Sequence, residues 1–131
     1  MARAEFPGRI ALVHDWLTGM RGGEKVLEAF ASLFPKAHLH TLFCDESRLS
    51  PALRKMKIHA LWKGKVDRYP LKFYRNLLPV YPQLVRQLKT SDYDLVISTS
   101  HCVAHGCPSP KDGLHLSYIF TPMRYVWDQY E

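Results

Sequence analysis

"HDWLTGMRGGEKVLEAF", residues 14–30, joins an apolar run to an amphipathic one through three glycines. The run that leads into it, "RIALVH" (Arg9–His14), is short and apolar, with β-branched Ile10 and Val13. It reads as a strand buried on both faces. On the other side, Val26, Leu27, Phe30, Leu33 and Phe34 recur at helical spacing, and Pro35 follows the last turn. The stretch is therefore a strand, a glycine turn and a helix. Such a turn has two readings. The first N–H groups of a helix are unpaired, and glycine lets an anion reach the backbone. Equally, glycine lets the helix pack tightly against the strand. The spacing of Gly19, Gly22 and Gly23 is not G-x-G-x-x-G, and no G-K-[ST] follows. Neither the dinucleotide fingerprint nor the nucleoside-triphosphate loop is present.

Outward from this unit the pattern repeats. "AHLHTLF" (37–43), "KIHAL" (57–61), "DLVISTS" (94–100) and "LHLSYIF" (114–120) are further strand candidates. Between the second and third of these, Pro79 suits a helix start, and Tyr81, Leu84, Val85 and Leu88 form one apolar stripe. Thr121-Pro122 resembles an N-cap with proline in the first turn, and Met123, Val126, Trp127 and Tyr130 share a helical face. Strands alternating with helices predict an α/β fold with a mostly parallel sheet and right-handed crossovers. In a doubly wound sheet the ligand crevice opens at the carboxyl ends of the strands, where strand order reverses. With the common order this point lies between the first and fourth strands. It would bring Asp15 and the glycine turn together with His101, which follows "DLVISTS".

The totals narrow the class. A chain of 131 residues and 47% hydrophobic content builds one domain with a real core. Three cysteines at irregular spacing do not make a disulfide framework, and "MARAEFPGR" lacks the apolar centre of a signal peptide. A cytoplasmic protein is expected. The net charge of +6 is uneven. From Arg54 to Lys89 ten basic residues face only Asp67, a balance of +9, which leaves about −3 elsewhere.

Three stretches, "RIALVHDWLTGMRGGEKVLE", "YDLVISTSHCVAHG" and "TPMRYVWDQY", together resemble the N-terminal half of bacterial family-4 glycosyltransferases of the GT-B fold, closest to mannosyltransferase-like members of polysaccharide biosynthesis. The likeness spans nearly the whole chain, in matching order. It implies a Rossmann-like domain, and a retaining transfer from a nucleotide-diphosphate sugar to a glycan or lipid-linked acceptor. It implies no metal and no cofactor beyond that donor. Gly22, Gly23 and Glu24 map onto the turn whose backbone N–H groups lie near the donor diphosphate. His101 maps onto the histidine that contacts and orients the sugar. Where relatives carry histidine before "TPMRY" this chain has Phe120, which alters the acceptor side. The acidic E-x7-E motif of the donor-binding half is not in the sequence. The resemblance therefore implies residues 1–131 as an N-terminal, acceptor-side domain of a longer enzyme, inactive without a C-terminal donor-binding partner domain.

Other residues carry open readings. Asp15 can cap the following turn or bind sugar hydroxyls, and a carboxylate beside a phosphate cradle favours either over phosphate. Trp16 can stack on a sugar ring or pack at the rim of the core. Arg124 has the fork for an acceptor phosphate or carboxylate, or for a salt bridge to Asp128 at i+4. Asp45 and Glu46 fall where a ribose-binding acid sits in a dinucleotide domain. "HCVAHGC" (101–107) spaces its ligands too irregularly for a usual zinc site, which makes Cys102 and Cys107 packing residues. No nucleophile elbow G-x-S-x-G surrounds Ser98 to Ser100. The basic segment 54–89 interleaves Trp62, Tyr69, Phe73, Tyr74 and Tyr81. It reads as a solvated basic face, or as a peripheral contact with an anionic membrane at the inner face of the cell membrane. The resemblance favours membrane over nucleic acid. A binding module that uses this patch without catalysis is the alternative function.

Overall fold

A computed structural model of the chain describes residues 8–18, 22–65, 80–100 and 104–119. The elements run β1 (Ile10–Leu17), α1 (Gly22–Leu33), β2 (His38–Cys44), α2 (Pro51–Arg54), β3 (Lys57–Lys63), α3 (Tyr81–Val85), β4 (Leu95–Ser100) and β5 (Leu114–Ile119), with single 3-10 turns at Glu46–Arg48 and Ala104–Gly106. The five strands form one sheet in the order β3-β2-β1-β4-β5, and every pairing is parallel. This is the Rossmann-like α/β arrangement, and β1 and β4 are neighbours as the pattern requires.

The apolar residues of β1 divide between two layers. Leu12 packs with Leu27 of α1, Leu39 of β2, Leu53 of α2 and Ile97 of β4. On the opposite face, Ala11 and Val13 pack with Tyr81 and Val85 of α3, Val96 of β4 and Ala104. Leu12, Leu27 and Leu39 are fully buried, each worth roughly 2 kcal/mol over exposure. Two-sided burial explains why β1 and β4 are apolar runs and not alternating ones. The edge strand β5 differs: Leu114, Leu116, Tyr118 and Ile119 are all exposed, and Phe30 meets Tyr118 edge-on at 6.2 Å.

At the amino ends of the strands Asp94 ties three of them together. Its carboxylate accepts from the Arg9 N–H at 2.7 Å, its N–H donates to the Arg9 carbonyl, and its carbonyl accepts from the Leu114 N–H. A Cβ on Gly113 would collide with that Asp94 carbonyl and lie 2.8 Å from Pro110 Cβ, so β5 can start here only on glycine.

Three differences from the sequence reading have physical causes. β1 runs three residues past His14, to Leu17, because His14 and Asp15 find polar partners inside the protein. The stripe Tyr81–Leu88 forms a helix over Tyr81–Val85 only, with Pro82 in its first turn, and Leu88 is carried inward by the turn that follows. A short helix at Pro51–Arg54 is added, capped by the Ser50 hydroxyl accepting from the Leu53 N–H. Pro79 and the face Met123–Tyr130 lie outside the described residues.

One patch beside the apolar layers is polar. His38 and His40 of β2 stand beside His59 of β3, with ring centroids 5.2 and 4.6 Å apart, and the Tyr93 hydroxyl lies 2.9 Å from His40 Nε2. Arg9 sits over the Tyr93 ring at 4.7 Å. Burial, followed by the neighbouring His59, His38 and Arg9 charges, pushes the His40 pKa down to about 4. His38 and His59 are also lowered, chiefly by burial. An unfolded chain takes up these protons first as pH falls. The stability His40 contributes is therefore complete above about pH 6.5 and declines until about pH 4, a loss on the order of 3 kcal/mol. Urea midpoints measured at about pH 7 and about pH 4.5 should fall accordingly in the wild type, and His40→Phe should flatten most of that difference.

Candidate functional site at the carboxyl ends of β1 and β4

Buried throughout, β4 passes from apolar Leu95–Ile97 to polar Ser98–Ser100, and β1 carries buried His14 and Asp15 after its apolar start. His14, Asp15, Thr18, Ser98, Thr99 and Ser100 are each at most 4% exposed. Burying this many polar groups at one end of a sheet is costly unless each is paired. Five of the six have hydrogen-bond partners, and His14, Asp15 and Thr99 find theirs across the switch point. The His14 ring places Nδ1 2.7 Å from the Thr99 hydroxyl, and that hydroxyl donates to the Val13 carbonyl at 3.3 Å. Which of His14 Nδ1 and the Thr99 hydroxyl donates is set by the imidazole tautomer. Its Nε2 lies 3.9 Å from the carboxylate of Glu24, in the first turn of α1. Asp15 points to the other face, where its carboxylate accepts from the Ala104 N–H at 2.6 Å. Adjacent residues of β1 thus bind β4 and α1 on one face and the turn after β4 on the other.

The candidate residues distribute unevenly over this frame. Gly22 and Gly23 open α1, and Gly23 is buried. The Glu24 side chain is 2% exposed and directed at His14, so any ligand contact at this position is through the backbone. Asp15 caps the turn after β4. Trp16 is half-buried, its ring 5.9 Å from Tyr81 at the rim of the core. His101 follows directly on Ser100, the last residue of β4, but it and Arg124 lie outside the described residues, as does Phe120.

The competing constellations take other roles. Asp45 is buried and caps the 3-10 turn by accepting from the Ser47 N–H at 3.1 Å, with Arg48 3.4 Å away. Glu46 faces Lys63 at 3.6 Å. Within "HCVAHGC", His105 bonds Ser100 at 2.9 Å, while the buried Cys107 lies 3.8 Å from His115 Nε2. Burial pushes the Cys107 thiol up to about 11 and Cys44 up to about 12, which leaves both as protonated packing groups. Among the described residues no three histidine, cysteine or acidic side chains converge as metal ligands. Ser98, His115 and Ser109 do form a chain, 2.9 Å to Nε2 and 3.2 Å to Nδ1, but Ser98 is fully buried and the chain ends on a hydroxyl, so it ties β4 to β5.

His14, Thr18 and Thr99 had no assigned part in the sequence reading. The available signal was position: each is a polar residue at the carboxyl end of an otherwise apolar strand. No family model, curated protein or solved structure matches the chain. Thr99→Val would remove the hydroxyl that His14 Nδ1 bonds on β4. It should cost about 1–3 kcal/mol in urea unfolding.

Proposed function

We propose that the chain is the N-terminal, acceptor-side domain of a retaining glycosyltransferase, one that moves a sugar from a nucleotide-diphosphate donor to a glycan or lipid-linked acceptor. The observation that supports this reading is the parallel adjacency of β1, which precedes the glycines in the chain, and β4, which precedes His101. The resemblance in the motifs "HDWLTGMRGGEKVLE" and "STSHCVAHG" supports the same assignment. In this reading the backbone N–H groups of Gly22 and Gly23 face the diphosphate, where the positive end of α1 favours its charge. His101 orients the transferred sugar, and Asp15, Trp16 and Arg124 belong to the acceptor side. A second domain holds the nucleotide.

The test starts with the diphosphate alone. Inorganic pyrophosphate titrated into the chain should shift the amide resonances of Gly22 and Gly23. Gly22→Val, which sets a branched side chain where the anion approaches, should weaken that binding roughly tenfold or more. Unshifted glycine amides in the wild type would refute the cradle. In the intact enzyme, His101→Ala should reduce turnover far more than nucleotide binding.

A second reading, a binding module for anionic surfaces, is favoured by one observation. Arg54, Lys55, Lys57, Lys63, Lys65, Arg86 and Lys89 are all exposed, as is Trp62, stacked on Phe43 at 5.2 Å. It also fits a lipid-linked acceptor and a place at the inner membrane face. Among the described residues no helix is long and apolar enough to cross a membrane, so contact would be peripheral. Vesicles with anionic lipid should retain the chain at low salt and release it at high salt, and neutral vesicles should not retain it.

A further inference from the structure

Thr18 follows the last residue of β1 and leads the glycine turn toward α1. It is 4% exposed, and among the described residues its hydroxyl is the single buried side-chain oxygen or nitrogen without a hydrogen-bond partner. The contrast with its surroundings is sharp. His14 has Thr99, Thr99 has the Val13 carbonyl, Asp15 has the Ala104 N–H and Ser100 has His105. The fold satisfies its polar groups along both strand ends and leaves one hydroxyl over, at the residue that enters the crevice. A buried hydroxyl with no partner is unfavourable, and valine has nearly its shape without that cost. Packing alone therefore gives no reason for threonine here.

We propose that the Thr18 hydroxyl is a ligand contact of the crevice, donating its proton to a phosphate oxygen of a diphosphate bound at the Gly22–Gly23 turn. The inference rests on the reading of that turn as a diphosphate cradle and adds a side-chain donor to the backbone ones. Rotation about Cα–Cβ carries the hydroxyl to another staggered position, with methyl and hydrogen following in turn, so its direction can change without moving the backbone. A hydroxyl donating to an anionic oxygen makes one of the stronger hydrogen bonds available to a neutral side chain.

The proposal makes stability and binding move in opposite directions. Thr18→Val should leave the urea midpoint of the free chain unchanged or raised, and should weaken inorganic pyrophosphate binding about tenfold. Thr18→Ser, which keeps the hydroxyl, should bind as the wild type does. Thr18→Ala provides a second hydroxyl-free variant should valine disturb the turn, and it should bind as weakly as Thr18→Val. Pyrophosphate affinity equal to wild type in both hydroxyl-free variants would overturn the proposal and leave the cradle standing. A wild-type chain whose glycine amides ignore pyrophosphate would overturn the cradle itself, and this inference with it. Clear destabilisation by Thr18→Val would show a partner within the protein, and would also overturn it.

Discussion

β1 has a strand on each edge and a packed layer on each face, so no group on it can rely on water. That constraint organises the rest of the molecule. Its apolar first half is met by leucines and valines of α1, α2, α3, β2 and β4. Its polar second half needs hydrogen bonds, and these come from β4, from the first turn of α1 and from the turn after β4. The hydrogen bond between His14 and Thr99 is the centre of this arrangement. It joins two neighbouring strands at the carboxyl end of the sheet, and the same imidazole places Nε2 3.9 Å from Glu24.

The same constraint separates structural polar residues from candidate functional ones. Asp45 has carboxylate character suited to a ribose, but its oxygens hold a 3-10 turn and Arg48. Glu24 is acidic in the first turn of α1, yet its side chain is buried and turned inward, 3.9 Å from His14 Nε2. Thr18 stands apart because the fold assigns its hydroxyl nothing.

The two ends of the sheet carry different chemistry. At the amino ends, stacked neutral histidines, Tyr93 and Arg9 form a patch whose cost of protonation makes stability depend on pH. At the carboxyl ends, His14, Asp15, Thr99 and Ser100 are held by hydrogen bonds between β1, β4 and the turn after β4. The amino-end patch lies away from the crevice, so its titration bears on stability and not on ligand contact.

The order of elements was legible in the sequence. Apolar runs of strand length, a helical stripe ending at Pro35 and glycines between them are local signals, and each acts through a backbone preference or a burial pattern within a few residues. The adjacency of β1 and β4 was legible through topology, since a parallel sheet with right-handed crossovers leaves few strand orders. Three things needed the tertiary structure. The extent of β1 depended on partners for His14 and Asp15 that lie about 85 residues away in sequence. The brevity of α3 depended on packing, because the apolar stripe Tyr81–Leu88 is served as well by a turn as by a helix. The sorting of Asp15, Asp45, Glu24 and Thr18 into paired and unpaired groups depended on distances. Residue type alone says that a side chain can bond; only its neighbours in space decide whether it already has.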